Sequence, residues 1–175
     1  MVLNKKYVFN ILENAFVLLV SFSMLSYGIG KIVQFKGAYL DLSCKLVSEL
    51  TGQQLMWAFY GYSYNFSLLI GFFEIIGAIL IFYRKTRLIG SVFTSFILCN
   101  IIIQDYIFDI IALKTAIFYQ VLLLIIMFFN KKKLEEAIKS LLIQTEFLFN
   151  RELLIKCSLS IFIFFIMKFL EVYFL

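Results

Sequence analysis

The chain has 175 residues, of which 63% are hydrophobic and 15% charged, with a mean hydropathy of +0.97. A soluble domain carries roughly 45–50% apolar and about 25% charged residues, so most of this surface is made to face lipid. The absence of His removes bis-imidazole haem ligation and the commonest zinc ligand. Cys44, Cys99 and Cys157 are isolated, with neither a Cys-x-x-Cys pair nor metal-ligand spacing, and read as small packing residues, so no metal site and no resident cofactor is indicated. The net charge of +5 sits largely at the ends of apolar stretches, as the positive-inside rule requires, which points to a bilayer rather than to nucleic acid.

With no Pro in the chain, long uninterrupted helices are expected. A span needs about 20 mostly apolar residues, and the first runs from Ile11 to Gly30, after Lys5 and Lys6. No small-residue cleavage site followed by a soluble polar domain appears after it, so it reads as a permanent helix rather than a signal peptide. Residues 31–64 form the longest polar connection, containing Thr51-Gly52-Gln53-Gln54. Its aromatic run Trp57-Ala58-Phe59-Tyr60-Gly61-Tyr62 is expected along the membrane interface.

The second span covers Phe66 to Tyr83 and stops at Arg84-Lys85-Thr86-Arg87, a basic turn short enough only for a tight hairpin. The third covers Leu88 to Ile103 and is expected to dissolve at Gln104-Asp105-Tyr106-Ile107-Phe108-Asp109. The fourth runs from Ile111 to Phe129 and ends at Asn130-Lys131-Lys132-Lys133. Beyond it, Leu134, Ile138, Leu141, Leu142 and Leu148 recur at helical spacing opposite Glu135, Glu136, Lys139 and Gln144, the pattern of a helix lying on the membrane surface. Leu153 to Leu175 is apolar but interrupted by Lys156, Lys168 and Glu171, and is read as a fifth span. The expected protein is all-α: an integral membrane four-helix bundle over 1–130, then a C-terminal extension, 131–175, of one interfacial amphipathic helix and a fifth transmembrane helix.

Orientation follows from counting Lys and Arg on each side. With the N-terminus inside, Lys5, Lys6, Arg84, Lys85, Arg87, Lys131, Lys132, Lys133, Lys139 and Arg151 are cytoplasmic, against Lys31, Lys36, Lys45, Lys114 and Lys168 outside. The N-terminus is therefore expected in the cytoplasm and the long first connection outside.

An ionisable residue inside a span is costly unless it is paired or hydrated, and so marks a candidate site. Glu74 is that residue, about 12 Å below the outer boundary at 1.5 Å per residue. Ser67, Gly71, Glu74 and Ala78 share one helical stripe, and small residues on such a stripe let another helix approach, so Glu74 faces protein. It either fixes packing by bonding a neighbouring helix or belongs to a polar vestibule with Tyr27, Lys31, Asn100, Gln104, Asp105, Lys114 and Gln120. Helix ends gather polar residues anyway, which accounts for Lys31, Asp105, Asp109 and Lys114, but not for Glu74, Asn100 and Gln120. Asp105 and Asp109, four apart, are expected to form structural ion pairs with Lys31 or Lys114.

Three segments carry a resemblance: Tyr27-Gly28-Ile29-Gly30-Lys31, Gly71-Phe72-Phe73-Glu74-Ile75-Ile76-Gly77, and Arg84-Lys85-Thr86-Arg87-Leu88-Ile89-Gly90. With the four-span layout they resemble the DoxX-like family of small bacterial membrane proteins, over about Asn10 to Phe129. That resemblance implies a four-helix bundle in the bacterial cytoplasmic (inner) membrane, often an accessory subunit beside a redox enzyme of thiol or sulfur metabolism. Its recurrent residues map onto Gly30, Lys31, Gly71, Glu74, Gly77 and Gly90, the glycines serving helix packing and none of the six marked as catalytic.

The function expected is a non-catalytic accessory or anchoring subunit, docked to other membrane protein subunits. The rivals are a quinone- or thiol-linked oxidoreductase subunit using Glu74 in proton handling with Lys31 tuning it, and a membrane-protein assembly helper. A small-solute transporter is a further alternative, weakened by the lack of an inverted repeat or a Gly/Pro-broken span.

Overall fold

The structure is a computed structural model that describes residues 5–142 and 151–174. The described residues are helical throughout, without a strand, in the order α1 (Lys5–Gln34), α2 (Ala38–Leu42), a 3-10 turn (Val47–Glu49), α3 (Gly52–Tyr62), α4 (Tyr64–Phe82), α5 (Arg87–Ile107), α6 (Leu113–Phe129), α7 (Lys131–Leu141) and α8 (Arg151–Phe174). Three helical segments are long and apolar enough to cross a membrane: Tyr7–Gln34, Tyr64–Phe82 and Arg87–Ile107. A fourth crossing results if Leu113–Phe129 and Lys131–Ser140, which meet at 79°, count as one span. Such helices are the mark of a membrane protein, because each satisfies its own backbone where no water can.

Two compact units are present, Met1–Ala137 and Ile138–Leu175, and the division between them falls within α7. In the first unit α1 lies along α4, α4 against α5, α5 against α6, and α6 returns to α1. Helices α1 and α4 approach closely. A Cβ on Gly28 would collide with the Gly71 carbonyl, and one on Gly71 with the Gly28 carbonyl and the Lys31 stem, so two glycines in register let the backbones touch. Gly77 and Gly90 do the same between α4 and α5, against Thr94 and against the backbone at Leu80 and Ile81. Gly30, expected at a packing contact, is not at one: a Cβ there would meet nothing within 4 Å. Gly28 and Lys31 are three residues apart and share the face turned to α4, which leaves Gly30 on another.

The apolar core runs down the middle of the unit through Val20, Met24, Ile81, Leu98, Leu123 and Ile126. The stripe Ser67, Gly71, Glu74 and Ala78 is buried, as its spacing requires. The third helix does not dissolve at Gln104. It continues to Ile107 and stops where Asp109 takes a left-handed φ of 52°, with the Ile110 N–H donating to the Asp105 carbonyl.

The connection after α1 is more ordered than a polar loop. Gly37 at φ 81°, a backbone conformation natural to glycine, turns the chain into α2. Thr51 then starts α3 with a reciprocal capping pair: the Gln54 N–H donates to Thr51 Oγ1 at 3.2 Å, and the Thr51 N–H to Gln54 Oε1 at 3.0 Å. The aromatic run expected at the interface lies on α3 and is only partly outward. Met56 and Tyr60 are buried with Phe35 and Ile110, and the Tyr60 ring stacks on Phe35 at 4.8 Å. Phe59 and Tyr62 stay exposed. Packing decides the difference, since one face of α3 covers the end of the long helices.

In the second unit, α8 is a single helix of 24 residues, and residues 154–169 present exposed side chains. Gln144 and Leu148 of the expected surface helix, and Leu175 of the expected fifth span, lie outside the described residues.

Candidate functional site

A cavity of about 120 Å³ lies under α3, between the C-terminal ends of α1 and α5 and the N-terminal ends of α4 and α6. Helix α1 supplies Met24, Tyr27, Lys31 and Gln34. Helix α3 supplies Met56, Trp57 and Tyr60, and α4 supplies Ile70 and Glu74. Helix α5 supplies Leu98, Ile101, Gln104 and Asp105, while α6 and the turn before it supply Ile110, Ala112, Thr115, Ala116 and Tyr119.

The centre of the site is the α1–α4 crossing. Because Gly28 and Gly71 let the two backbones meet, Lys31, one turn beyond Gly28, reaches Glu74, one turn beyond Gly71. Its Nζ is 3.9 Å from Glu74 Oε1. The same ammonium donates to Gln34 Oε1 at 3.3 Å and stands 5.2 Å from the Phe35 ring centroid. Glu74 is 1% exposed and Asp105 3%. Glu74 Oε2 and Asp105 Oδ2 are buried without a hydrogen-bond partner among the described residues. In an interior, an unmet carboxylate oxygen costs free energy unless something else meets it.

The remaining polar groups are fixed by one another. Tyr60 donates its hydroxyl to Gln104 Oε1, and Gln104 donates through Nε2 to Asn100 Oδ1 at 2.7 Å. Burial pushes the Tyr60 phenol above its ordinary range. The bond to Gln104 opposes that, and the neighbouring Glu74 and Asp105 charges add to it, so the hydroxyl remains a donor at neutral pH. Ser23 donates to the Tyr119 hydroxyl at 2.9 Å, and the Tyr119 ring meets Tyr27 edge-on at 6.1 Å.

Of the residues expected in a polar vestibule, Tyr27, Lys31, Glu74, Gln104 and Asp105 come together here, and Asn100, Lys114 and Gln120 do not. Asn100 is exposed and holds Gln104 from behind, and Lys114 is exposed. Gln120 donates to Ser95 between α5 and α6. The expected pairing of Asp105 or Asp109 with Lys31 gives way to Lys31–Glu74, because the close α1–α4 crossing decides which carboxyl the ammonium reaches. Trp57, Tyr60 and Tyr119 are site residues the sequence reading missed. The Thr51-x-x-Gln54 capping signature could have placed the first two on a helix; nothing local marks Tyr119.

A second polar cluster lies at the opposite end of the long helices. Arg87 Nη1 donates to Glu13 Oε1 at 2.8 Å, and Asn130 Nδ2 donates to the same oxygen at 2.9 Å and to the Ile126 carbonyl at 3.0 Å. It ties the start of α1, the start of α5 and the end of α6. Arg87, expected in a basic hairpin turn, is 9% exposed. The three cysteines are exposed, and none lines the cavity.

Fold and site together define a helical membrane protein with a partly polar cavity under a short capping helix. No family model and no solved structure matches the chain. It is 30% identical over 119 residues to the uncharacterized protein YwoB of Bacillus subtilis (strain 168), an alignment covering 67% of this chain and 76% of that relative. The chain belongs to the same family as YwoB.

Proposed function

We propose that the chain is a multi-pass protein of the bacterial cytoplasmic membrane, DoxX-like in layout, that holds a small molecule beside Glu74 as a non-catalytic accessory subunit of a larger membrane complex. In this reading α1, α4, α5 and α6 form a four-helix bundle with the N-terminus in the cytoplasm. Helix α7 lies on the inner surface. Helix α8, 24 residues and about 36 Å long at 1.5 Å per residue, is the fifth span.

The observation that carries the binding role is the convergence of Lys31, Glu74 and Asp105 from three helices on one cavity, with carboxylate oxygens there left unmet. Buried ionisable groups in a span persist where they serve a site. A pocket lined mainly by apolar and aromatic groups, with a few convergent polar ones, is the usual form of a small-molecule site.

The test is purification of the tagged protein from its native membrane in mild detergent, with mass spectrometry of both proteins and small molecules. A stoichiometric partner and a retained small molecule are expected, the latter lost from Glu74→Gln. A chain that comes out alone and empty would end this reading. A retained quinone with redox-linked absorbance would replace the accessory role with an electron-transfer one.

A further inference from the structure

The cavity that the proposed function treats as a ligand site has an unequal charge inventory, and this inference rests on that reading. Two buried carboxyl groups, Glu74 and Asp105, line it against one ammonium, Lys31. Lys31 sits by Glu74 Oε1, while Glu74 Oε2 and Asp105 Oδ2, on two of the residues that line the cavity, are buried without a hydrogen-bond partner among the described residues. Four aromatic residues, Tyr27, Trp57, Tyr60 and Tyr119, share the lining with apolar side chains such as Met24, Ile70 and Leu98. Aromatic faces carry partial negative charge and attract a cation within about 6 Å of the ring centroid. The volume of about 120 Å³ is smaller than the roughly 150 Å³ apolar cavity that takes benzene, so the occupant has few heavy atoms.

We infer that the cavity takes a compact organic cation, an ammonium or guanidinium, with Glu74 and Asp105 meeting its charge and Tyr27, Trp57 and Tyr119 among the residues around it. An anion would meet two carboxyls, and a neutral ring would leave both oxygens as they are. The cation adds the positive charge that Lys31 alone does not supply. The same chemistry is found in a free amine and in the ethanolamine headgroup of a lipid.

Trp57 is the chain's only tryptophan and lines the cavity, so its fluorescence reports occupancy. The protein in detergent is titrated with tetramethylammonium and guanidinium chloride, and with acetate and tert-butanol as anionic and neutral probes of similar size, with calorimetry in parallel. Saturable binding of a cation is expected, with none by acetate or tert-butanol. Glu74→Gln and Asp105→Asn should each weaken it by about tenfold or more, one lost charge contact being worth at least ~1.4 kcal/mol. Lys31→Gln should tighten it several-fold by removing the competing ammonium, an effect a merely structural lysine would not have and one that stands if a carboxyl variant fails to fold. Competition by added phosphatidylethanolamine but not phosphatidylglycerol assigns the headgroup, and its absence assigns the free cation.

Saturable binding of acetate or tert-butanol with no cation response overturns the inference and leaves the binding role intact. Cation binding unchanged in the Glu74→Gln, Asp105→Asn double variant overturns it as well. No response to any probe, with no small molecule retained on purification, removes both.

Discussion

Arg87 and Glu13 are 74 positions apart, yet their pair at 2.8 Å, with Asn130 on the same oxygen, is the tightest charged contact among the described residues. Removing one partner of a shielded pair leaves the other charge uncompensated, which costs about 2–4 kcal/mol, whereas replacing both often costs little. Arg87→Met should therefore lower the thermal midpoint in micelles clearly, and the Glu13→Gln, Arg87→Met double variant should recover most of the loss. Equal midpoints for the single variant and the parent would mean that the contact contributes nothing. Tyr60→Phe is a milder change at the other end. It removes one hydrogen bond to Gln104, worth about 1 kcal/mol, and leaves the ring stacked on Phe35.

At the scale of elements, the α1–α4 crossing and the α3 cap decide the site. Gly28→Val should force the two helices apart and separate Lys31 from Glu74, giving a large loss of stability. Gly30→Ala, two positions on, meets nothing and should stabilise by roughly 0.5–1 kcal/mol, the ordinary helix preference of Ala over Gly. Thermal unfolding of the pair reads both signs at once, and similar losses from the two would refute the assigned contact. Phe35→Ala removes the ring on which Tyr60 stacks and against which Trp57 packs edge-on. The loss is about 3–5 kcal/mol where the ring is fully enclosed, and α3 should loosen, shifting Trp57 emission to the red.

These same elements mark how far the sequence could be read. The long helices were legible because apolar length is a local property. So was the inward stripe through Glu74, because period alone sets it. What escaped depended on helical phase or on distant partners. Gly28 rather than Gly30 follows from counting back three from Lys31. Tyr119 joins the cavity only because α6 returns to α1, and Arg87 looked like one more cation of the basic turn until Glu13 was beside it. The α3 cap was hidden by its shortness and its aromatic run, which suits a membrane interface as well as a buried face until Phe35 and Ile110 are seen beneath Met56 and Tyr60.

For the molecule as a whole, the proposed orientation places Cys44, exposed in the connection between α2 and the 3-10 turn, on the outer side. In a Cys99→Ala, Cys157→Ala background, a membrane-impermeant maleimide should label intact cells at Cys44. Labelling only after the cells are opened would invert the topology.

The order of the helices along the chain also sets the order of assembly. Helix α1, carrying Lys31 and Gly28, leaves the ribosome ahead of α4, and α4 brings Glu74 and Gly71 before α5 or α6 emerges. An acidic residue near the centre of an inserting helix costs about 2.5–3.5 kcal/mol on its own. A waiting α1 with an ammonium and a glycine notch turned toward it supplies what that helix lacks at the translocation channel. The ion pair of the finished site thus doubles as an insertion aid, and Lys31→Ala should lower the membrane-inserted yield of a chain truncated after α4.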